Sequence, residues 1–100
     1  MEFETKNRLF EWDDDKALKN KSKHGISFEK AIRVFDDNFR VERYDEYHSD
    51  YEDRWITIGQ VDDILFVVYT ERADRTRIIS ARLADKSERR EYYGNRQNAY

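Results

Sequence analysis

Apolar and polar positions change their period several times along the chain, and each change marks an expected element. Arg8 to Trp12 alternates as a short strand would. Asp13, Asp14 and Asp15 then supply an N-cap and the negative charge that suits a helix start. That helix runs through Lys16, Lys19, Lys21 and Lys23 to His24, with Gly25 placed to end it in the left-handed conformation. Ser27 caps a second helix, in which Phe28, Ala31, Ile32 and Phe35 recur at i, i+3, i+4 and i+7 and define one buried face. From Phe39 to Tyr51, Val41, Arg43 and Asp45 alternate with Glu42, Tyr44 and Glu46, a peripheral strand leading into a polar connection.

Three stronger strands follow near 55–60, 64–71 and 76–83, joined by hairpin loops at Val61 to Asp63 and Ala73 to Thr76. The middle one is apolar on both alternating faces, so it needs cover on both sides. The two helices can cover one face, and the C-terminal segment or a partner chain the other. Asp85 and Glu88 form a capping-box pair that opens a short helix through Tyr93, and the chain after Gly94 reads as frayed. The expected fold is α+β: two N-terminal helices on a four- or five-stranded, mostly antiparallel sheet, with a short C-terminal helix. One domain is expected over residues 1–94, with a frayed tail over 95–100.

Composition sharpens this picture. Charged residues make up 41% of the chain, well above the roughly 25% of ordinary globular proteins. The aromatic fraction of 15% nevertheless supplies the buried area that disordered chains lack. Absence of cysteine removes disulfides, thiolate metal sites and thiol nucleophiles. With Gly25, Gly59 and Gly94 as the only glycines, no phosphate-binding glycine loop can form. The longest apolar run, Ile64 to Tyr69, is too short to span a bilayer, so a cytoplasmic location without membrane contact is expected. The net charge of -3 means that any affinity for nucleic acid must come from a local basic patch, and it favours a basic protein partner.

Three arginines offer such a patch. A fold at Ala73 to Thr76 places Arg72 opposite Arg77, and the loop at Val61 to Asp63 brings Arg54 near Thr70 and Arg72. Like charges opposite one another destabilise a sheet. A phosphate gripped by guanidinium forks would relieve them, as would ion pairs with Glu52, Asp53, Glu71 or Asp74. The same register sets Arg82 opposite Val67 on the other sheet face, unless a bulge intervenes. Glu52 is a candidate general base or a solvated acid. His24 is a candidate acid or base, imidazole titrating near pH 6.5, or a charge placed at a helix C-terminus. Lys19 and Lys23 can track an RNA backbone or form a solvated helix face, and Trp55 can stack on a base or be partly buried. His48 with Asp45, Glu46, Asp50 and Glu52 lacks fixed ligand spacing, so neither a metal site nor a cofactor is expected.

The segments FEWDDDKALKNKSKHGISFEKA, EDRW with Ile58 and Gly59, VVYTER, RIISARLA and RREYY, taken in this order, resemble the BrnT family of toxins over roughly residues 9 to 93. That resemblance implies a RelE-like ribonuclease fold and the toxin half of a type II toxin-antitoxin pair. It also implies a DNA-binding antitoxin as partner, so that contact with DNA is only indirect. Under it, the His24 segment and the Glu52 and Arg54 pair belong to the active region. The expected activity is metal-independent RNA cleavage by 2′-hydroxyl attack, with His24, Glu52, Arg54, Arg72 and Arg77 as catalytic candidates. Lys19, Lys23, Trp55 and Arg82 are the RNA-binding candidates. A noncatalytic RNA-binding domain and a protein-interaction module remain the alternatives.

Overall fold

Six strands form one mixed sheet in a computed structural model that describes residues 1–98. They are β1 (Glu2–Glu4), β2 (Leu9–Glu11), β3 (Val41–Tyr44), β4 (Trp55–Val61), β5 (Asp63–Arg72) and β6 (Arg75–Leu83), in the spatial order β1-β2-β6-β5-β4-β3. The helices are α1 (Asp14–His24), α2 (Phe28–Ala31) and α3 (Lys86–Asn98). The pairs are antiparallel except β2 with β6, which is parallel. The sheet therefore has more strands than the four or five expected. The added strand, β1, mirrors β2: Phe3 pairs with Phe10 on the core side, while Glu2 lies opposite Glu11. Those like charges are offset by Arg75 on Glu2 and Arg77 on Glu11.

Helix boundaries follow their caps. Asp13 Oδ1 accepts from the Lys16 amide at 3.0 Å, and Gly25 ends α1 at φ 74 with its N–H on Lys21 O. Ser27 Oγ accepts from the Lys30 amide, and Asp85 and Glu88 exchange side-chain-to-amide hydrogen bonds of 2.8 Å each. The second helix is shorter than expected, because the chain tightens into a 3-10 turn over Ile32–Asp36. Ile32 and Val34 are β-branched and favour leaving the α-helix. The tighter turn seats Val34 against Gly59, where a Cβ would lie 2.6 Å from Val34 Cγ1. At the other end of the chain, α3 continues past Gly94 to Asn98, into the tail expected to be frayed over 95–100, whose last two residues lie outside the described ones. Asn95 Nδ2 donates to Phe39 O, and Arg96 Nη1 to Gln60 Oε1.

Each sheet face has its own core. Phe10, Leu65, Val67, Tyr69, Ile78 and Ala81 pack under α2 and the 3-10 turn, with Phe28, Ile32 and Val34. On the opposite face, Ile56, Ile58, Ile64 and Phe66 pack with Ala84, just before α3, and with Tyr92 of α3. α1 has little apolar surface, and its buried residue is Asn20. The Asn20 amide donates to Ala81 O at 2.8 Å and accepts from Ala81 N at 3.1 Å, closing the edge of β6 beyond the reach of the short β2. A sheet edge that would otherwise carry unpaired polar groups is thereby satisfied. Among the described residues no helix is long and apolar enough to cross a membrane.

Candidate functional site

The β5–β6 hairpin turns through two residues, Ala73 and Asp74, with Ala73 at φ 54. Arg72 consequently faces Arg75, not Arg77, and Arg77 pairs with Thr70. Alanine seldom adopts a left-handed backbone, which is why the sequence points to a longer loop. Further along, β6 carries one extra residue, Ile79, at the register shift beside Val68 and Tyr69. One inserted residue turns every later side chain over. Arg82 therefore pairs with Phe66 in place of Val67 and joins the α3 face of the sheet, together with Arg72 and Arg77.

The chain between β3 and β4 crosses the end of this face and is pinned there. Thr70 Oγ1 donates to Asp53 O at 2.6 Å, the Arg54 amide donates to Ser49 Oγ at 2.9 Å, and the Asp45 amide donates to Arg54 O at 2.9 Å. Thr70, Arg77 and Glu11 thus sit in one row across β5, β6 and β2, and Arg54, the residue just before β4, continues it on the other side. Neighbouring strands lie about 4.8 Å apart, so Arg54 and Arg77 start about 10 Å from each other.

These arginines are not bare, as a cluster waiting for phosphate would be. Arg77 Nη1 reaches Glu11 Oε2 at 2.6 Å, with both side chains only about a fifth exposed. Glu52 stands between the other two, Oε1 3.1 Å from Arg72 Nη2 and Oε2 3.7 Å from Arg54 Nη2. Arg82 grips Glu88 with a fork of 2.7 and 2.9 Å and lies 3.9 Å from the centroid of the Phe66 ring. Burial pushes the Glu88 carboxyl up, but hydrogen bonds from Arg82 and the Asp85 amide outweigh it and hold the group below its ordinary value. Arg54 has the loosest contact of the four, and its Nε is buried without a hydrogen-bond partner among the described residues. Of the acids foreseen as counter-ions, Glu52 pairs with Arg54 and Arg72, whereas Arg77 takes Glu11, Glu71 takes Arg8 and Asp74 lies by Arg75. Arg54 Nε is the buried arginine donor without a partner among the described residues.

A groove of about 560 Å³ opens on this face where α3 does not cover it. Ile56, Phe66 and Val68 form its floor, and Asp45, His48, Arg54 and Arg82 stand around it with Tyr47, Ile79 and Ser80. Asp45 is buried, and its carboxylate lies 3.0 and 3.2 Å from His48 Nδ1. A carboxylate can only accept here, so it fixes the proton on Nδ1 and leaves Nε2 as the nitrogen free to take another. Of the acids placed near His48 by the sequence, Asp45 is the one that contacts it. The pairing of Asp45 with His48 inside an arginine-lined groove is the feature that sequence reasoning misses. Its one signal is the D-x-x-H spacing, which a 3-10 turn over Glu46–His48 brings onto one side.

His24 is not in this groove. It lines a second one with Lys16, Lys19 and Lys23 of α1, and the two grooves share Ile79 and Ser80 as their common wall. His24 and Glu52, both expected near the reacting phosphate, are thus on different sides of the bulge. Trp55 is on the opposite sheet face, packed against the α2-side core and edge-on to Tyr44, away from any strand bound in the groove.

A family model described as "Ribonuclease toxin, BrnT, of type II toxin-antitoxin system" matches residues 12–88. The chain belongs to the BrnT toxin family. Its fold is similar to that of the Brucella abortus ribonuclease toxin BrnT, known from a 1.1 Å crystal structure, with a TM-score of 0.57 and 24% sequence identity. That likeness covers 75% of this chain and 94% of the Brucella one. No curated protein matches the sequence significantly. As a BrnT-family toxin it has RNA as its implied substrate and an antitoxin as its implied partner.

Proposed function

We propose that this BrnT-family chain cleaves RNA without a metal ion, by attack of a 2′-hydroxyl on the adjacent phosphorus, in the groove between His48 and Arg54. The observation that carries the reading is the Asp45–His48 pair in one groove with Arg54, whose contact to Glu52 is a loose 3.7 Å. His48 Nε2 takes the proton of the 2′-hydroxyl as the new P–O2′ bond forms. The P–O5′ bond breaks, and the departing oxygen is protonated from solvent on the open side of the groove. The products are a 2′,3′-cyclic phosphate and a 5′-hydroxyl, and no oxidant or other reactant is required.

Arg54 is the phosphate ligand in this scheme, and Glu52 is its resting counter-ion. An entering phosphate takes the place of the Glu52 carboxylate between Arg54 and Arg72, where two guanidinium groups already converge on one oxyanion. Arg77 acts mainly as the clamp between β2 and β6. Within the site, Arg54, Arg72, Arg77 and Arg82 are balanced by Glu11, Asp45, Glu52 and Glu88, so their formal charges cancel. Attraction for a polyanion therefore rests on Lys16, Lys19 and Lys23 across the shared wall, with His24 beside them. We assign a cytoplasmic location and neutralisation by a basic, DNA-binding antitoxin, the partner chemistry that an acidic toxin body favours.

Cleavage of a single-stranded RNA in EDTA, by wild type and His48→Gln, tests the mechanism. Activity that survives EDTA and falls in the variant supports it. Activity abolished by EDTA removes the metal-free scheme, and binding without any cleavage selects the noncatalytic RNA-binding alternative.

A further inference from the structure

We infer that the groove holds one unpaired nucleobase of the RNA strand, stacked between Tyr47 and Arg82 beside the phosphate at Arg54. This rests on the reading of the groove as an RNA site and names its substrate class. A phosphate gains nothing from an apolar floor, yet Ile56, Phe66 and Val68 form one directly beneath Arg54 and His48. A planar base attached to that phosphate would use both.

Two side chains are shaped for stacking. Tyr47 is 88% exposed on the 3-10 turn at the groove rim, and no hydrogen bond engages its hydroxyl among the described residues. Arg82 lies over the Phe66 ring, 3.9 Å from its centroid, and is pinned through both its terminal nitrogens by Glu88, which makes it a fixed platform and a poor mobile ligand for phosphate. Bases of single-stranded RNA stack on aromatic rings and on guanidinium planes of this kind.

Charge selects the same occupant. The arginines of the groove already face the carboxylates of Glu52 and Glu88, so it offers π faces and apolar area in place of a strong field, while the α1 lysines beyond Ser80 supply the attraction for the rest of the strand. A volume of about 560 Å³ lies within the range of sites that enclose small molecules. An A-form duplex keeps its bases stacked inside and cannot place one on this floor. The site therefore takes an unpaired base and not a duplex.

The test uses a short 2′-O-methyl oligoribonucleotide, which binds but cannot be cut, and its binding to the full chain is measured by fluorescence anisotropy. Matched strands carry a single abasic residue at successive positions, and a further sample is annealed to its complement. One abasic position is expected to raise Kd about 10-fold, as is Tyr47→Ala, since a stacked base contributes about 1 to 3 kcal/mol. Tyr47→Phe should bind like wild type, and the duplex at least about 10-fold more weakly. Equal affinity for intact, abasic and duplex strands would overturn the subsite. So would absence of binding to any of them, which would leave the groove to a protein partner. Cleavage of ordinary RNA is scored separately: cutting without base discrimination removes the subsite and keeps the nuclease, and discrimination without cutting does the reverse.

Discussion

Asp45 holds His48 by Nδ1, at 3.0 Å, from a position where its own side chain is almost fully buried. The pair unites a rigid acceptor with a ring that faces the groove. Asp45→Asn should therefore lower kcat by about 10²- to 10⁴-fold with little change in KM, because a misoriented imidazole no longer takes the proton while phosphate binding persists. Steady-state cleavage of a fluorogenic RNA measures this. An unchanged kcat would remove the pair from the chemistry.

Arg54 and Arg77 should separate function from stability. Arg54→Ala is expected to reduce cleavage by about 10²- to 10³-fold, with Arg54→Lys recovering only part, because one ammonium cannot replace a fork. Arg77→Ala should instead cost about 1 to 2 kcal/mol of stability, between the scales of exposed and buried ion pairs, by unclamping Glu11 of β2 from β6. Urea denaturation alongside kinetics distinguishes the two. Equal stability of Arg77→Ala and wild type would refute the clamp.

Gly59 is a packing requirement. Its missing Cβ would sit 2.6 Å from Val34 Cγ1 and 3.3 Å from Arg40 Cβ. Gly59→Ala should destabilise the fold by about 1 to 3 kcal/mol through overpacking, and Gly59→Ala combined with Val34→Ala should recover part of it. Thermal unfolding of the single and double variants checks the coupling.

Stability should fall in acid through Asp37. Burial pushes this carboxyl up, but hydrogen bonds from the Tyr92 hydroxyl and from the Gln60 and Phe39 amides outweigh it and hold the group below its ordinary 3.8. A depressed carboxyl stabilises the fold above its unfolded value, and the contribution is lost as pH drops below about 4 and through the folded value. Tyr92 is the reciprocal case: burial, followed by the Asp37 contact, raises its phenol to about 12. Its contribution is complete below pH 10 and disappears as pH rises toward 12. Tyr92→Phe should flatten the acid limb of a stability curve measured from pH 2 to 7, and an identical acid limb would remove Tyr92 from the linkage.

Local signals carried much of this protein. The caps at Asp13, Ser27 and Asp85, the stop at Gly25 and the two-faced apolar run of β5 are readable because each depends on neighbours within a few residues. The family is legible for a similar reason, since its segments lie in order along the chain.

The site was less legible. Whether Arg82 shares a face with Arg54 depends on one extra residue at Ile79, and whether Arg72 faces Arg75 or Arg77 depends on an alanine held at φ 54. Both are decided by how strands settle against their partners, because a shift of a single residue reverses every side chain while leaving the hydrophobic pattern almost intact. The same holds for Glu11, 66 residues away from Arg77 in sequence, and for Asp45 and His48, whose acid-rich surroundings carry no helical or strand period. Sequence alone determined most of the elements, their caps and the family of the chain, but not β1 or the 3-10 turn that shortens α2. Tertiary pairing decided which charges meet, since counter-ions distant in sequence are chosen by register and not by composition.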